Sequence, residues 1–158
     1  MVIIGIDPGK KGGIAVLTTA GKLVSYHRLE GVIDLVNYLR NTATSEKGVC
    51  RVYVEKCQAM SKGGVKQGVK GMFNYGMGFG KILGVLSGLG LSHDLVSPRT
   101  WQKKMIPGAK IGESKQAAKV KAFQLYPNES FIPTGCRTPH DGVIDAVLIA
   151  EYGRLLHV

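Results

Sequence analysis

Val2-Ile3-Ile4-Gly5-Ile6-Asp7-Pro8-Gly9-Lys10-Lys11 opens the chain with an apolar run that ends in a carboxylate and a turn. Four of the first six residues are Val or Ile and Pro8-Gly9 is a strong stop signal, so the stretch predicts a buried strand whose last residue is Asp7. A charge at the end of a core strand needs a partner, and the simplest are a cation, a hydrogen-bonding turn or a metal ion. An Asx turn into Pro8-Gly9 would satisfy Asp7 locally. Whether Asp7 does more depends on what other acids stand at element ends.

Working outward, Ile14 to Thr19 and Leu23 to Leu29 follow across short turns and predict a meander of three antiparallel strands. Val32, Ile33, Leu35, Val36 and Leu39 have helical spacing over residues 32–40. Val49 to Val54 predicts a second buried strand, and it too ends on an acid, Glu55. Ser61 to Gly71, rich in Gly and Lys, predicts a basic loop; it lacks the spacing of a P-loop. A helix is expected from Met72 to Leu89, with Gly76, Gly80, Gly84 and Gly88 recurring every fourth residue on one face. Each glycine in a helix interior costs about 1 kcal/mol relative to alanine, so the stripe implies a close backbone approach, either to the sheet or to a second copy of the chain.

Leu91 and Leu95-Val96 mark a further strand, and Arg99 to Met105 a short helix carrying Trp101. Ser114 is the expected N-cap of a helix through Tyr126 that buries Val120, Phe123 and Leu125, and residues 127–139 are loop. Thr138-Pro139 then opens a last helix in which Thr138-x-x-Asp141 matches a capping box. Asp141 and Asp145 lie one turn apart on one face, where like charges repel unless a cation lies between them. The cap does not account for Asp145, which five apolar residues follow.

The 158 residues suit a single domain spanning 1–158, and 44% of them are hydrophobic. No signal peptide and no run of about 20 apolar residues is visible, so an intracellular protein of a bacterial or phage-infected cell, without membrane contact, is expected. Cys50, Cys57 and Cys136 lack metal-ligand spacing and suggest free thiols. Twelve of the 21 basic residues lie between Lys56 and Lys121 against two acids, Asp94 and Glu113, so this middle stretch carries the formal +10. Such a cationic surface is the footprint of a polyanion partner, most simply nucleic acid.

Asp7, Glu55, Asp141 and Asp145 make four isolated acids without a histidine or cysteine cluster, a donor set suited to Mg²⁺ or Mn²⁺. Two such ions can activate water and stabilise the leaving oxygen in phosphodiester hydrolysis. A carboxylate cluster beside a basic surface therefore predicts a nuclease. Sugar kinases and actin-like ATPases share the opening strand-Asp-turn pattern, but they need a second lobe that this length does not provide, so no nucleotide cofactor is expected.

Four strings carry a more specific likeness: Val54-Glu55-Lys56-Cys57-Gln58-Ala59-Met60, the Met-Phe-Asn-Tyr-Gly-x-Gly-Phe-Gly run at 72–80, Ser97-Pro98-x-x-Trp101, and His140-Asp141-Gly142-x-x-Asp145-Ala146 continuing to Gly153. In this order they resemble the RuvC-like Holliday junction resolvases of phages and plastids, within the ribonuclease H-like superfamily. The resemblance implies an α/β fold with a central mixed five-stranded sheet and helices on both faces. It also implies a homodimer that binds four-way DNA and makes symmetric paired nicks with two Mg²⁺ per site. By the same resemblance Asp7, Glu55, Asp141 and Asp145 are the metal ligands and Lys115 lies near the scissile phosphate. Lys56, Lys62, Lys66, Lys70, Lys110 and Lys119 are the expected DNA contacts, and the Gly76 to Gly88 helix the dimer contact.

Two departures stand out. The final acids are four residues apart, where bacterial members have three, and Gln58 replaces an aromatic three positions after the strand-end glutamate, which Phe73 or Tyr75 would have to replace as a wedge. A less selective flap or Y-DNA nuclease and a non-catalytic junction-binding protein are the alternatives. His140 at a helix start is expected to be a bystander rather than a ligand or base.

Overall fold

In the computed structural model of the chain, residues 1–45, 50–57, 68–110 and 112–157 are described. The elements run β1 Val2–Asp7, β2 Gly13–Thr18, β3 Leu23–Arg28, α1 Val32–Ser45, β4 Cys50–Glu55, α2 Val69–Gly88, β5 His93–Val96, α3 Pro98–Met105, α4 Ser114–Leu125 and α5 Asp141–Leu155. The strands form one mixed sheet in the order β3-β2-β1-β4-β5. The meander β1-β2-β3 is antiparallel, while β4 and β5 add in parallel on the other side of β1. Helices cover both faces, as expected.

Alternation sorts each central strand between two cores. Val2, Ile4 and Ile6 of β1 and Val52 and Val54 of β4 pack with Leu35 and Leu39 of α1 and Ile82 and Leu86 of α2. Ile3 and Tyr53 point the opposite way, into a core built by α5 with Trp101 and Met105 of α3 and Ala118 and Ala122 of α4. Asp7 and Glu55 continue this second register, so both acids fall on the α5 face. The parallel pairing Ile6↔Val54 makes them neighbours at the same sheet edge.

The central helix is α5, buried almost all round from Gly142 to Gly153. Close backbone approach holds it: a Cβ on Gly5 would stand 2.1 Å from the Ala146 carbonyl oxygen, and one on Gly142 2.0 Å from that of Lys11. A bridge between Gly12 and Gly142 fastens the first turn of α5 to the β1-β2 turn. The acid Glu151 is only 5% exposed, and Arg154 holds it with two bonds of 2.8 and 2.7 Å while the Tyr126 hydroxyl donates a third. A buried carboxylate so matched contributes to the fold rather than the site.

Three expectations change at element ends and one inside a helix. The N-cap of α4 is Glu113, without a side-chain cap bond, and Ser114 is its first helical residue. That helix buries Ala118 and Ala122, while Val120 is exposed, because α4 sits close on α5 and small residues fit the gap. At α5 the cap is His140, whose Nδ1 accepts from Val143 N–H, in place of the Thr138 capping box. Residues 69–71 belong to α2 rather than to a loop, which places Lys70 in a helical first turn; residues 61–67 lie outside the described residues.

Candidate active site

The edge where β1 and β4 end gathers the predicted acids. Asp7 Oδ1 accepts from the Gly9 N–H at 2.9 Å, so the expected Asx turn forms and fixes one oxygen. Glu55 Oε2 accepts from Trp101 Nε1 at 2.7 Å. Trp101 is itself 1% exposed, and α3 presents it from a helix start capped by the Ser97 side chain and opened by Pro98. The Lys56 N–H binds the Val96 carbonyl at 2.7 Å, tying the residue after Glu55 to β5. Both strand-end carboxylates are thus oriented by donors of their own.

The first turn of α5 lies over this edge because Gly142 permits contact with the Lys11 backbone. Asp141 faces outward and accepts from Lys115 Nζ at 3.1 Å; with exposures of 77% and 56% this pair is well screened by solvent. Asp145, a turn deeper, is pushed up to about 8 by burial first and then by the charges of Asp7, Glu55 and Asp141, with Lys115 opposing. That set of causes locates the acids in one another's fields. Four carboxylates from three distant stretches of sequence share one electrostatic neighbourhood, and Lys115 belongs to it.

Two neighbours of this centre were not placed beside the acids by sequence reasoning, which gave Trp101 no role and considered Tyr75 only as a wedge. Trp101 had a signal, being the lone tryptophan within the Ser-Pro-x-x-Trp string. Tyr75 on α2 forms a hydrogen bond with Cys57 and is raised to about 12 by burial, then by Cys57, Glu55 and Asp7, so its ring belongs to the same edge. No spacing rule connects residue 75 to Asp7. The pKa of His140 is lowered by burial first, with Asp141 opposing and Arg28 and Lys11 contributing; its ring caps α5.

Among the described residues, no three acid, histidine or cysteine side chains stand close enough together to cage an ion as placed. Like charges without a cation repel, and Asp7, Glu55 and Asp141 each turn to a donor instead. The donor chemistry nevertheless fits a hard divalent cation, since every acid here supplies oxygen and Asp145 is raised by burial first and then by three neighbouring negative charges that Lys115 only partly offsets. Lys56, Lys70 and Lys110 are exposed and Lys119 is partly so, while Lys62 and Lys66 lie outside the described residues. Gly76, Gly80, Gly84 and Gly88 are on α2, and an added Cβ at any of them meets nothing within 4 Å. The stripe therefore does not face the sheet. Cys50, Cys57 and Cys136 are free, and no described helix is long and apolar enough to cross a membrane.

The strand order, the mixed pairing and the helix laid across β1 define the ribonuclease H-like fold. Comparison with solved structures places the chain beside RuvC of Thermus thermophilus, with a TM-score of 0.67 at 16% identity over 99% of this chain and 96% of that one. A second structure of the same organism's RuvC, in complex with Holliday junction substrate, superposes with a TM-score of 0.66 at 15% identity, covering 99% and 95%. No protein-family model and no curated protein matches the sequence.

Proposed function

We propose that the chain is a metal-dependent endonuclease that resolves four-way DNA junctions as a homodimer. The observation that supports this reading is that the charges of Asp7, Glu55 and Asp141 all act on the buried Asp145. The likeness in fold to a RuvC bound to junction substrate supports the choice of DNA, and the basic stretch between Lys56 and Lys121 supplies the charge to hold it.

In this reading Asp7, Glu55, Asp145 and Asp141 would hold two Mg²⁺, with Mn²⁺ able to substitute. Bound there, the ions lower the pKa of water and stabilise negative charge on the leaving oxygen. The chain's own part is orientation. Trp101 fixes Glu55, the Gly9 amide fixes Asp7, and Lys115, once DNA draws it from Asp141, brings an ammonium to the phosphate undergoing attack. Lys56, Lys70, Lys110 and Lys119, together with Lys62 and Lys66, track the backbone. The open glycine stripe of α2, flanked by exposed Met72, Phe73 and Met77, would seat the same helix of a second copy, so two sites could act on opposed strands.

The test is to incubate the protein with labelled four-way, Y-shaped and linear DNA, with Mg²⁺ or with EDTA. Paired symmetric nicks confined to the four-way substrate and dependent on Mg²⁺ are the expected result. Equal cutting of Y-shaped DNA would make it a general branched-DNA nuclease; binding without cutting would leave only junction recognition.

A further inference from the structure

Between the β1-β2 turn and the cap of α5 lies a cleft that the nuclease reading does not use. Its walls are the turn Lys10–Gly12, the end of β3 and its continuation Arg28–Glu30, and His140. It encloses about 290 Å³, room for roughly ten waters at ~30 Å³ each and at the floor of the roughly 300–1,000 Å³ of small-molecule sites, whose linings are mostly apolar. This one is polar and cationic. Glu30 pairs with Arg28, which leaves the charges of Lys10 and Lys11 in surplus, and both lysines are exposed. The Arg28 guanidinium lines the same cleft, with one nitrogen on Glu30 and another donating to Cys136 Sγ at 3.8 Å, while its Nε is buried with no hydrogen-bond partner among the described residues. The positive end of the fifteen-residue α5 adds to the field, since His140 is its cap.

Position gives the cleft its meaning. The Lys11 carbonyl lies against Gly142, one residue from Asp141, and Lys10 follows the Asp7 turn by three residues. We propose that this cleft is a phosphate subsite, in which Lys10, Lys11 and Arg28 seat a backbone phosphate of the DNA strand beside the one being cut. The assignment rests on the nuclease reading above and deepens it. A contact held equally in the bound and reacting states lowers KM without raising kcat, so these are positioning residues, distinct from the acids that meet the reacting atoms.

The experiment measures binding of four-way DNA in EDTA over a series of salt concentrations, for the wild type, the pair K10A/K11A, the charge reversal K10E/K11E, and K22A as a control on the exposed β2-β3 turn. Each phosphate neutralised contributes about 0.9 to the slope of log K against log salt. The pair should lose about one unit of slope and bind roughly tenfold more weakly at fixed salt, with K10E/K11E weaker still and K22A unchanged. Single-turnover cleavage in Mg²⁺ at saturating protein should keep the wild-type rate in K10A/K11A. Binding and cutting with an unchanged slope, or an equal loss in K22A, would overturn the subsite alone; failure of the wild type to bind DNA would overturn both readings. Titration with inorganic phosphate at matched ionic strength separates the two sources of the anion: if the wild type binds phosphate more tightly than K10A/K11A while both bind four-way DNA with equal affinity and slope, the cleft serves a free anion and the assignment to a DNA phosphate falls.

Discussion

Two helices of this chain use glycine in opposite ways. In and under α5, Gly5 and Gly142 are filled by neighbouring backbone, so that an added Cβ would come within 2.1 Å of a carbonyl oxygen. Along α2, Gly76, Gly80, Gly84 and Gly88 face open space, with nothing within 4 Å of an added Cβ. The first set is used up inside the fold, where it lets a helix lie close enough to two strands for Asp145 to feel Asp7 and Glu55. The second set is spent on nothing the described residues supply. A helix of twenty residues that buries only Ile82 and Leu86 and keeps four glycines is poorly justified as a monomer's surface.

The strongest way to break the comparison is to fill the tight side. Gly5→Val places a branched side chain into the backbone of α5 and should destabilise the chain by about 3 kcal/mol or more, enough to abolish cooperative folding in a thermal melt. If Gly5→Val melted like the wild type, α5 would not lie where the proposed site needs it.

Next in size is the electrostatic consequence of that closeness. Asp145 has a carboxyl raised from 3.8 to about 8 in the fold, so between these values the folded chain binds a proton that the unfolded chain has released. Stability must then fall as pH rises from about 4 to about 8 and stop falling above it. In metal-free protein Asp145→Asn should remove this fall and raise the melting temperature at pH 8 by several degrees. If Asp145 holds Mg²⁺ as proposed, the added ion should stabilise the wild type at pH 8 and the variant much less, because it would bind only the folded, ionised site. A wild-type melting curve flat from pH 4 to pH 8 would contradict the carboxylate cluster.

A smaller effect belongs to Trp101→Phe. It removes a donor from Glu55 Oε2 while keeping most of the buried ring, and a hydrogen bond to a charged group contributes roughly 1.5–3 kcal/mol. Cleavage should fall more than DNA binding does, since the tryptophan orients a carboxylate rather than the substrate. Equal losses in both would make Trp101 a packing residue only.

The sequence disclosed the site through its chemistry and hid it through its geometry. Asp7 and Glu55 were legible because each interrupts an apolar run at a strand end, and Asp145 because no cap explains it. The meander followed from runs of Val and Ile broken by turns, whereas the mixed sheet with helices on both faces came only from the resemblance, because nothing local in β4 says which neighbour it joins or in which direction. Helix starts were harder: His140 rather than Thr138 caps α5, because any side chain with an acceptor at the right place serves, and histidine is seldom considered. Trp101 reaches Glu55 and Tyr75 reaches Cys57 only through the tertiary packing of α3 and α2 on the sheet, which no local period encodes. Gly5 was visible as a glycine in a strand, but its reason, the Ala146 carbonyl above it, lies 141 positions away.

The smallest effect decides what the α2 glycines are for, because its sign differs between the two uses. In an uncovered helix, Gly80→Ala and Gly84→Ala each remove backbone freedom from the unfolded chain and should stabilise by about 1 kcal/mol. If the stripe is pressed against the same helix of a second copy, each new methyl meets backbone and the pair of substitutions weakens association. Sedimentation equilibrium and melting at several protein concentrations separate these outcomes, since a dimer's melting temperature rises with concentration and a monomer's does not. A wild type whose melting depends on concentration, and a double variant that is monomeric with a concentration-independent melt, is the result expected of paired active sites. Stabilisation at every concentration would leave α2 an ordinary exposed helix and remove the reason for supposing that two strands are cut together.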